Sequence, residues 1–154
     1  MMLEFAIDYV EICFKGQAQY IKQESSFLYH PWNDVNFAII IGNGYNSLDV
    51  NLQNNLVMQV TGLNPSYNWI KKDIIAPLSR PGILKAFFHD TYCPGTGIQY
   101  ATDWKTYFNE KTGWVCIGNP NHINKWASVE FAANTIAVIA NGQIESIWIK
   151  PIFI

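Results

Sequence analysis

Residues 134–151 read Asn-Thr-Ile-Ala-Val-Ile-Ala-Asn-Gly-Gln-Ile-Glu-Ser-Ile-Trp-Ile-Lys-Pro. Two apolar, largely β-branched runs flank the dipeptide Asn141-Gly142. A two-residue type I′ turn needs a positive φ at both central positions, and Asn followed by Gly adopts that conformation at least cost. Pro151 cannot donate a ladder hydrogen bond, so the second run should end before it. The stretch therefore predicts a β-hairpin.

The turn also predicts which residues of the hairpin face each other. A two-residue loop gives three cross-strand pairs on one side: Ile139 with Ile144, Ala137 with Ser146, and Thr135 with Trp148. Both sides of the ribbon are largely apolar, which is typical of strands that are covered on two faces. We expect the hairpin to lie in the middle of a sheet.

Other apolar runs of strand length recur between turn-forming residues. Residues 37–41, 50–53 and 56–60 predict an antiparallel meander, and residues 104–108 and 114–117 predict a further pair around a turn. Residues 129–133 lead into the final hairpin.

Two segments fit more than one interpretation. Residues 3–15 fit either a helix or a strand with a bulge, and we favour a strand followed by a return strand from Gln17. Residues 64–76 fit either a helix capped by Asn64 and Pro65 or a crossing loop. Clusters of turn formers predict loops over residues 25–36 and 77–97.

These patterns predict a single domain over residues 1–154 that is mainly β. We expect an antiparallel β-sandwich or a strongly curled sheet with at most one or two short helices. The alternative is an α+β fold with an N-terminal helix.

The composition excludes several classes of function. Charged residues make up 14% of the chain, the net charge is −2, and Arg80 is the only arginine. Nucleic-acid binding and attachment to an anionic membrane both usually need a basic stripe, which the scattered lysines do not form. Aromatic residues reach 15%, more than a core of this size requires, which leaves some for a surface.

The cysteines indicate a reducing compartment. Cys13, Cys93 and Cys116 are odd in number and far apart, unlike a disulfide framework. With neither a signal-like N-terminus nor a long apolar run, we expect a cytoplasmic protein that crosses no membrane. The histidines and cysteines lack metal-site spacing and no phosphate-binding loop is present, so we expect no metal and no cofactor.

The densest reactive cluster surrounds Cys93. A thiolate at Cys93 with His89 as its base, and Asp90 or Asp103 orienting the imidazole, would make a small cysteine-dependent hydrolase. However, Pro94 and Gly95 argue against the helix that would bring residues four apart together. The more ordinary interpretation is an inert thiol beside a loop histidine.

Aromatic and acidic residues at the predicted loops form a second candidate set. Aromatic side chains anchor interfaces, and carboxylates steer a basic partner. The predicted partner-binding residues are Trp32, Asp34, Asp90, Tyr92, Asp103, Trp104 and Glu110. The alternative is that the rings cap the ends of the sheet.

Residues 112–119, 129–132 and 135–151 resemble small bacterial immunity proteins, which neutralise toxins of contact-dependent growth inhibition and related polymorphic toxin systems. The resemblance covers about the last third of the chain, and its motifs are structural, so they assign no role to single residues. It implies a binding protein without a reaction of its own, whose partner is a cognate protein toxin, often a nuclease.

Our first hypothesis is an immunity protein that occludes a basic toxin. The alternatives are the cysteine-dependent hydrolase and a carbohydrate- or peptide-binding β module that uses loop tryptophans.

Overall fold

The computed structural model describes residues 3–12, 14–43, 45–123 and 125–154, and its strands form one strongly curled, mixed sheet. The strands are β1 (Leu3–Tyr9), β2 (Gln17–Ile21), β3 (Ser26–His30), β4 (Phe37–Ile41), β5 (Asn46–Asn51), β6 (Leu56–Leu63), β7 (Ile70–Lys71), β8 (Arg80–Phe88), β9 (Thr96–Ala101), β10 (Thr106–Phe108), β11 (Val115–Gly118), β12 (Ala127–Ala132), β13 (Thr135–Ala140), β14 (Gln143–Ile149) and β15 (Ile152–Phe153). The described ranges contain two short 3-10 turns, Lys22–Glu24 and Ser66–Asn68, and no α-helix. The mainly β prediction is confirmed. The alternative with an N-terminal helix is wrong, because the first described segment is β1.

The predicted hairpin is β13 and β14, with φ of 51° at Asn141 and 76° at Gly142. It lies between β12 and β11, inside the sheet as expected. Ile139 faces Ile144 as predicted, but Glu145 is an extra residue that moves the remaining pairs by one position. The other predicted pairs are therefore wrong, and the observed ones are Val138 with Ser146, Ala137 with Ile147, Ile136 with Trp148 and Thr135 with Ile149. This bulge switches the alternation of side chains, which keeps Ile144, Ile147 and Ile149 all in the main core.

Both faces of the hairpin are buried, as the sequence predicted. The inner face packs in the main core, and the outer face packs under residues 72–79, which we call the strap. Ile74 of the strap is 4% exposed and belongs to a second apolar cluster with Val138 and Trp148. Asn109 Nδ2 donates to the Ile74 carbonyl (2.9 Å), and Ser128 Oγ donates to the Leu78 carbonyl (2.6 Å), so hydrogen bonds hold the strap on both sides of the covered face.

Two other predicted strand sets are confirmed. Strands β4, β5 and β6 form the antiparallel meander, and β10 and β11 form the antiparallel pair. Four further pairs are parallel, which the antiparallel prediction did not include: β4 with β9, β8 with β12, β7 with β10, and β2 with β15. They run between segments that are distant along the chain, so no hairpin turn could indicate them.

The predicted loop over residues 77–97 is wrong in its central part, which is β8, the longest strand. Pro81 and Gly82 suggested a turn. A Cβ on Gly82 would lie 2.8 Å from the Asp8 carbonyl oxygen and 2.8 Å from Val129 Cγ2, so this glycine lets β8 pass between β1 and β12. Here glycine indicates close strand packing, not a turn.

The structure agrees with the expectations for the other segments in part. The first strand ends at Tyr9, and β1 pairs with β8 while the expected return strand β2 pairs with β3. The predicted bulged continuation is absent from residues 10–12, 14 and 15, and Cys13 lies outside the described residues. Part of the expected 25–36 loop is β3. Of the two interpretations of residues 64–76, the crossing loop is confirmed, since this segment contains only the 3-10 turn Ser66–Asn68 and the two-residue strand β7.

A buried asparagine ties together β5 and β10, two strands that are not neighbours in the sheet. Asn64 is 4% exposed and its backbone N–H donates to the Ser25 carbonyl (2.7 Å). Its Nδ2 donates to Asn46 Oδ1 (2.8 Å) and Thr106 Oγ1 (2.9 Å). The side-chain bonds are completed by Trp69 Nε1, which donates to Asn64 Oδ1 (2.9 Å). One side chain therefore links β5, β10 and the crossing loop.

Candidate functional site

Two loops lie side by side at one end of the sheet. Residues 31–36 precede β4 and residues 89–95 precede β9, and these two strands run parallel with Phe37 opposite Thr96. Because parallel strands in register begin at the same edge, their preceding loops are neighbours. The Gly95 N–H donates to the Asn36 carbonyl (2.7 Å) and joins them. We call these two segments the paired-loop face.

The first loop is fixed by hydrogen bonds to the meander. The backbone N–H and Nδ2 of Asn33 both donate to Gln59 Oε1 (3.0 and 3.1 Å). The Asn36 N–H donates to the Val50 carbonyl (2.9 Å), and its Oδ1 accepts from the Leu52 N–H (2.9 Å). The loop that carries Trp32 is therefore held at two points.

The second loop is fixed by aromatic packing. The Tyr92 ring lies 5.1 Å from the Phe37 ring and 5.6 Å from the Phe88 ring, between centroids. Thr96 Oγ1 donates to the Cys93 carbonyl (2.7 Å), which closes the turn before β9. Tyr92 thus serves as an anchor as well as part of the surface.

A buried carboxylate lies beneath the first loop. Asp49 is 6% exposed and accepts hydrogen bonds from Ser47 Oγ (2.6 Å), Gln59 Nε2 (2.9 Å) and Thr61 Oγ1 (2.8 Å). Burial raises the pKa of Asp49, and the three hydrogen bonds partly oppose that shift. Gln59 transmits this anchoring to Asn33, so Asp49 indirectly positions the loop.

We expect Asp49→Asn to be more stable than the wild type at neutral pH and less dependent on pH. Because folding raises the pKa of Asp49, the folded state holds its proton better, and wild-type stability falls as pH rises from the ordinary value of 3.8 through the raised folded pKa. Asparagine keeps the acceptor for Gln59 and Thr61, and its amide can donate to Ser47. Asp49→Ala removes both carboxylate oxygens as acceptors and should lower the free energy of unfolding by about 1–3 kcal/mol. Urea unfolding between pH 4 and pH 8 measures both variants, and a wild-type stability that rises over this range relative to Asp49→Asn contradicts the assignment.

The face combines exposed aromatic surface with negative charge. Trp32 is 59% exposed, Asp34 and Asp90 are exposed, and Tyr92 is half-buried. Neither loop contains Lys or Arg, so its two carboxylates are not neutralised from within the loops. Such a surface suits a partner that presents basic side chains.

The remaining predicted partner-binding residues lie elsewhere. Asp103 and Trp104 follow the far end of β9, about 16 Å away by the rise of a six-residue strand. Trp104 is half-buried against the Tyr100 ring (6.1 Å between centroids). Glu110 lies in the β10–β11 turn, where its Oε2 is 3.3 Å from Lys71 Nζ. The structure thus brings together four of the seven residues.

The reactive cluster lies within the second loop. His89, Asp90 and Cys93 are all exposed, and among the described residues no hydrogen bond joins these three side chains. Cys116 is buried, and burial raises the pKa of its thiol, which is the direction of an unreactive cysteine. Within the described ranges, no group of three His, Cys, Asp or Glu side chains is placed to hold a metal ion.

Sequence reasoning missed the supports of the face, which are Asn33, Asp49 and Gln59. The alternation in residues 46–51 does place Ser47 and Asp49 on one side of β5. Nothing local distinguishes a buried aspartate from an exposed one, because its covering loop comes from elsewhere in the chain.

No helix in the described part of the chain is both long and apolar enough to cross a membrane.

No protein-family model matches the sequence, and no curated protein is significantly similar to it.

Proposed function

We propose that this chain is a binding protein that occludes a basic protein partner with its paired-loop face, as an immunity protein does to its toxin. The observation that carries the proposal is the side-by-side placement of two anchored loops that present Trp32 with the carboxylates of Asp34 and Asp90.

Anchoring matters because binding must otherwise order a mobile loop at a cost in conformational entropy. The hydrogen bonds from Asn33 and Asn36 fix the first loop before any partner arrives. An exposed tryptophan on a fixed loop is typical of the residues that dominate binding energy. The carboxylates accelerate encounter with a basic surface and favour it over acidic competitors.

The test begins with the partner that wild-type protein retains at equal amounts from its native cells. Expressed alone, that partner should stop growth, and co-expression of the wild type should restore it. Trp32→Ala should weaken binding at least about 30-fold, the effect of losing an anchoring residue of about 2 kcal/mol. Adding Asp34→Lys should slow association further and abolish the protection of growth.

The matched control is Tyr67→Ala combined with Asp73→Lys, which makes a similar change at exposed residues outside the face. This variant should bind and protect like the wild type. A partner that is harmless to cells, or one released by the control variant and not by the face variant, contradicts the proposal.

A further inference from the structure

A groove separates the two end strands of the sheet, β15 and β7. Its volume is about 690 Å³, within the usual range for ligand sites. Rings of Trp69, Phe108 and Phe153 line it and pack on one another, with Trp69 5.3 Å from Phe108 and Phe108 5.6 Å from Phe153 between centroids. The end groove therefore offers apolar surface where the sheet stops short of closing.

Backbone groups of both end strands point into this gap. Ile154 N–H donates to the Tyr20 carbonyl (2.9 Å) and its own carbonyl accepts from the Lys22 N–H (3.0 Å). In a parallel ladder the N–H and C=O groups of adjacent residues point to opposite sides of the strand. Because those of Ile154 point toward β2, those of Phe153 point away from it.

The same geometry holds across the groove. The Lys72 N–H donates to the Phe108 carbonyl (3.0 Å), and Lys71 lies opposite Phe108 in the parallel register. The N–H and C=O of Lys71 therefore point away from β10. Each edge presents a backbone donor and acceptor to whatever lies between the two strands.

The groove and a neighbouring pocket carry more lysines than carboxylates. Lys22 and Lys71 line the groove, and Lys72 and Lys111 line a second pocket that shares Lys71, Phe108 and Glu110 with it. Against these four lysines stand two carboxylates, Glu110 at 3.3 Å from Lys71 and Asp73 at 3.9 Å from Lys111. Among the described residues Lys22 and Lys72 form no ion pair. The surplus is positive although the whole chain carries −2.

We propose that the end groove binds an extended, acidic peptide segment as an added strand between β15 and β7. The segment pairs with the backbone of Phe153 and Lys71, its apolar side chains contact the aromatic rings, and its carboxylates meet Lys22 and Lys72. Charge selects an acidic occupant, and the strand edges select an extended one. This site is separate from the paired-loop face and takes a ligand of opposite charge.

The first test uses a pool of labelled peptides of about eight residues, a usual strand length, in which Glu alternates with Phe, Ile, Leu, Tyr or Val. Fluorescence anisotropy should show saturable binding that weakens when salt rises from about 0.05 to 0.5 M. A matched pool with Lys in place of Glu should bind at least about tenfold more weakly. The same Glu pool methylated on alternate backbone nitrogens should not bind, since it cannot complete the ladder.

Hydrogen exchange locates the bound strand. The amides of Phe153 and Lys71 should exchange at least about tenfold more slowly with the peptide pool present, whereas that of Lys72, already bonded to Phe108, should not change. Lys22→Glu with Lys72→Glu should weaken binding about tenfold or more, and the control, Lys15→Glu with Lys125→Glu, should leave it unchanged.

Four results overturn the proposal: no binding of the Glu pool at about 1 mM, equal binding of the methylated pool, equal binding of the Lys pool, or unchanged exchange at Phe153 and Lys71. None of them bears on the paired-loop face, whose test measures a different partner and different variants.

Discussion

Replacing Asn64 by alanine is expected to lower the free energy of unfolding by about 4 kcal/mol, because three buried polar groups lose a hydrogen-bond partner and each one left unsatisfied costs about 1–3 kcal/mol. Asn46 Oδ1 loses the donor at 2.8 Å, and Trp69 Nε1 loses the acceptor at 2.9 Å. The Thr106 hydroxyl also loses its bond to Nδ2. Urea or guanidinium unfolding, followed by tryptophan fluorescence, measures the difference.

Asn68→Ala is the matched control for this prediction. Asn68 lies in the same crossing loop and is exposed. Its backbone N–H donates to the Pro65 carbonyl, a bond that alanine retains. Its effect should stay within about 0.5 kcal/mol. If Asn64→Ala costs no more than this control, the asparagine does not hold β5 and β10 together.

Replacing Ile74 by alanine is expected to destabilise the fold by about 3 kcal/mol, within the range for removing a buried isoleucine side chain. Ile74 packs beneath the strap against the outer face of the hairpin, in the cluster that contains Val138 and Trp148. Truncation leaves a cavity over Trp148, which is fully buried. Thermal and denaturant unfolding both report the loss.

The adjacent residue provides the control, because Ile75 is 77% exposed. Ile75→Ala removes the same atoms from the same strap, so its effect should lie within about 0.5 kcal/mol. Equal effects of the two substitutions would mean that the strap does not cover the hairpin as described.

The sequence predicted best what depends on neighbouring residues. Asn141 and Gly142 determine their own turn by conformational preference, and the two-sided apolar pattern around them predicts burial wherever the hairpin lies. The bulge at Glu145 escaped prediction because no turn-forming residue marks it in the sequence. The turn determines the two pairs next to it, Ala140 with Gln143 and Ile139 with Ile144, and the register shifts at the third.

Pairings between distant segments could not be predicted. β1 pairs with β8 and β15 pairs with β2, and neither pair has a connecting turn. Gly82 could not be interpreted from the sequence, since a glycine at a turn and a glycine between two closely packed strands have the same sequence pattern. Knowledge of the neighbouring strands resolves it.

The candidate site was predictable to a similar extent. The sequence identified Trp32, Asp34, Asp90 and Tyr92 as loop residues of the right chemistry, and the parallel β4–β9 pair brings their loops together. The sequence alone did not distinguish these four residues from Glu110, whose carboxylate forms an ion pair with Lys71. Which loop residues lie together on one surface can be predicted only when the order of the strands is known.

That strand order also bears on how fast the molecule forms. Leu3 pairs with Phe88 and Ile152 pairs with Gln19, so long stretches of chain must be brought into loops before these contacts are gained. Chains dominated by such distant pairings reach the native state in about milliseconds to seconds, much more slowly than helical bundles. We expect the meander and the β13–β14 hairpin to form early, and the first and last strands to pair with the sheet afterwards.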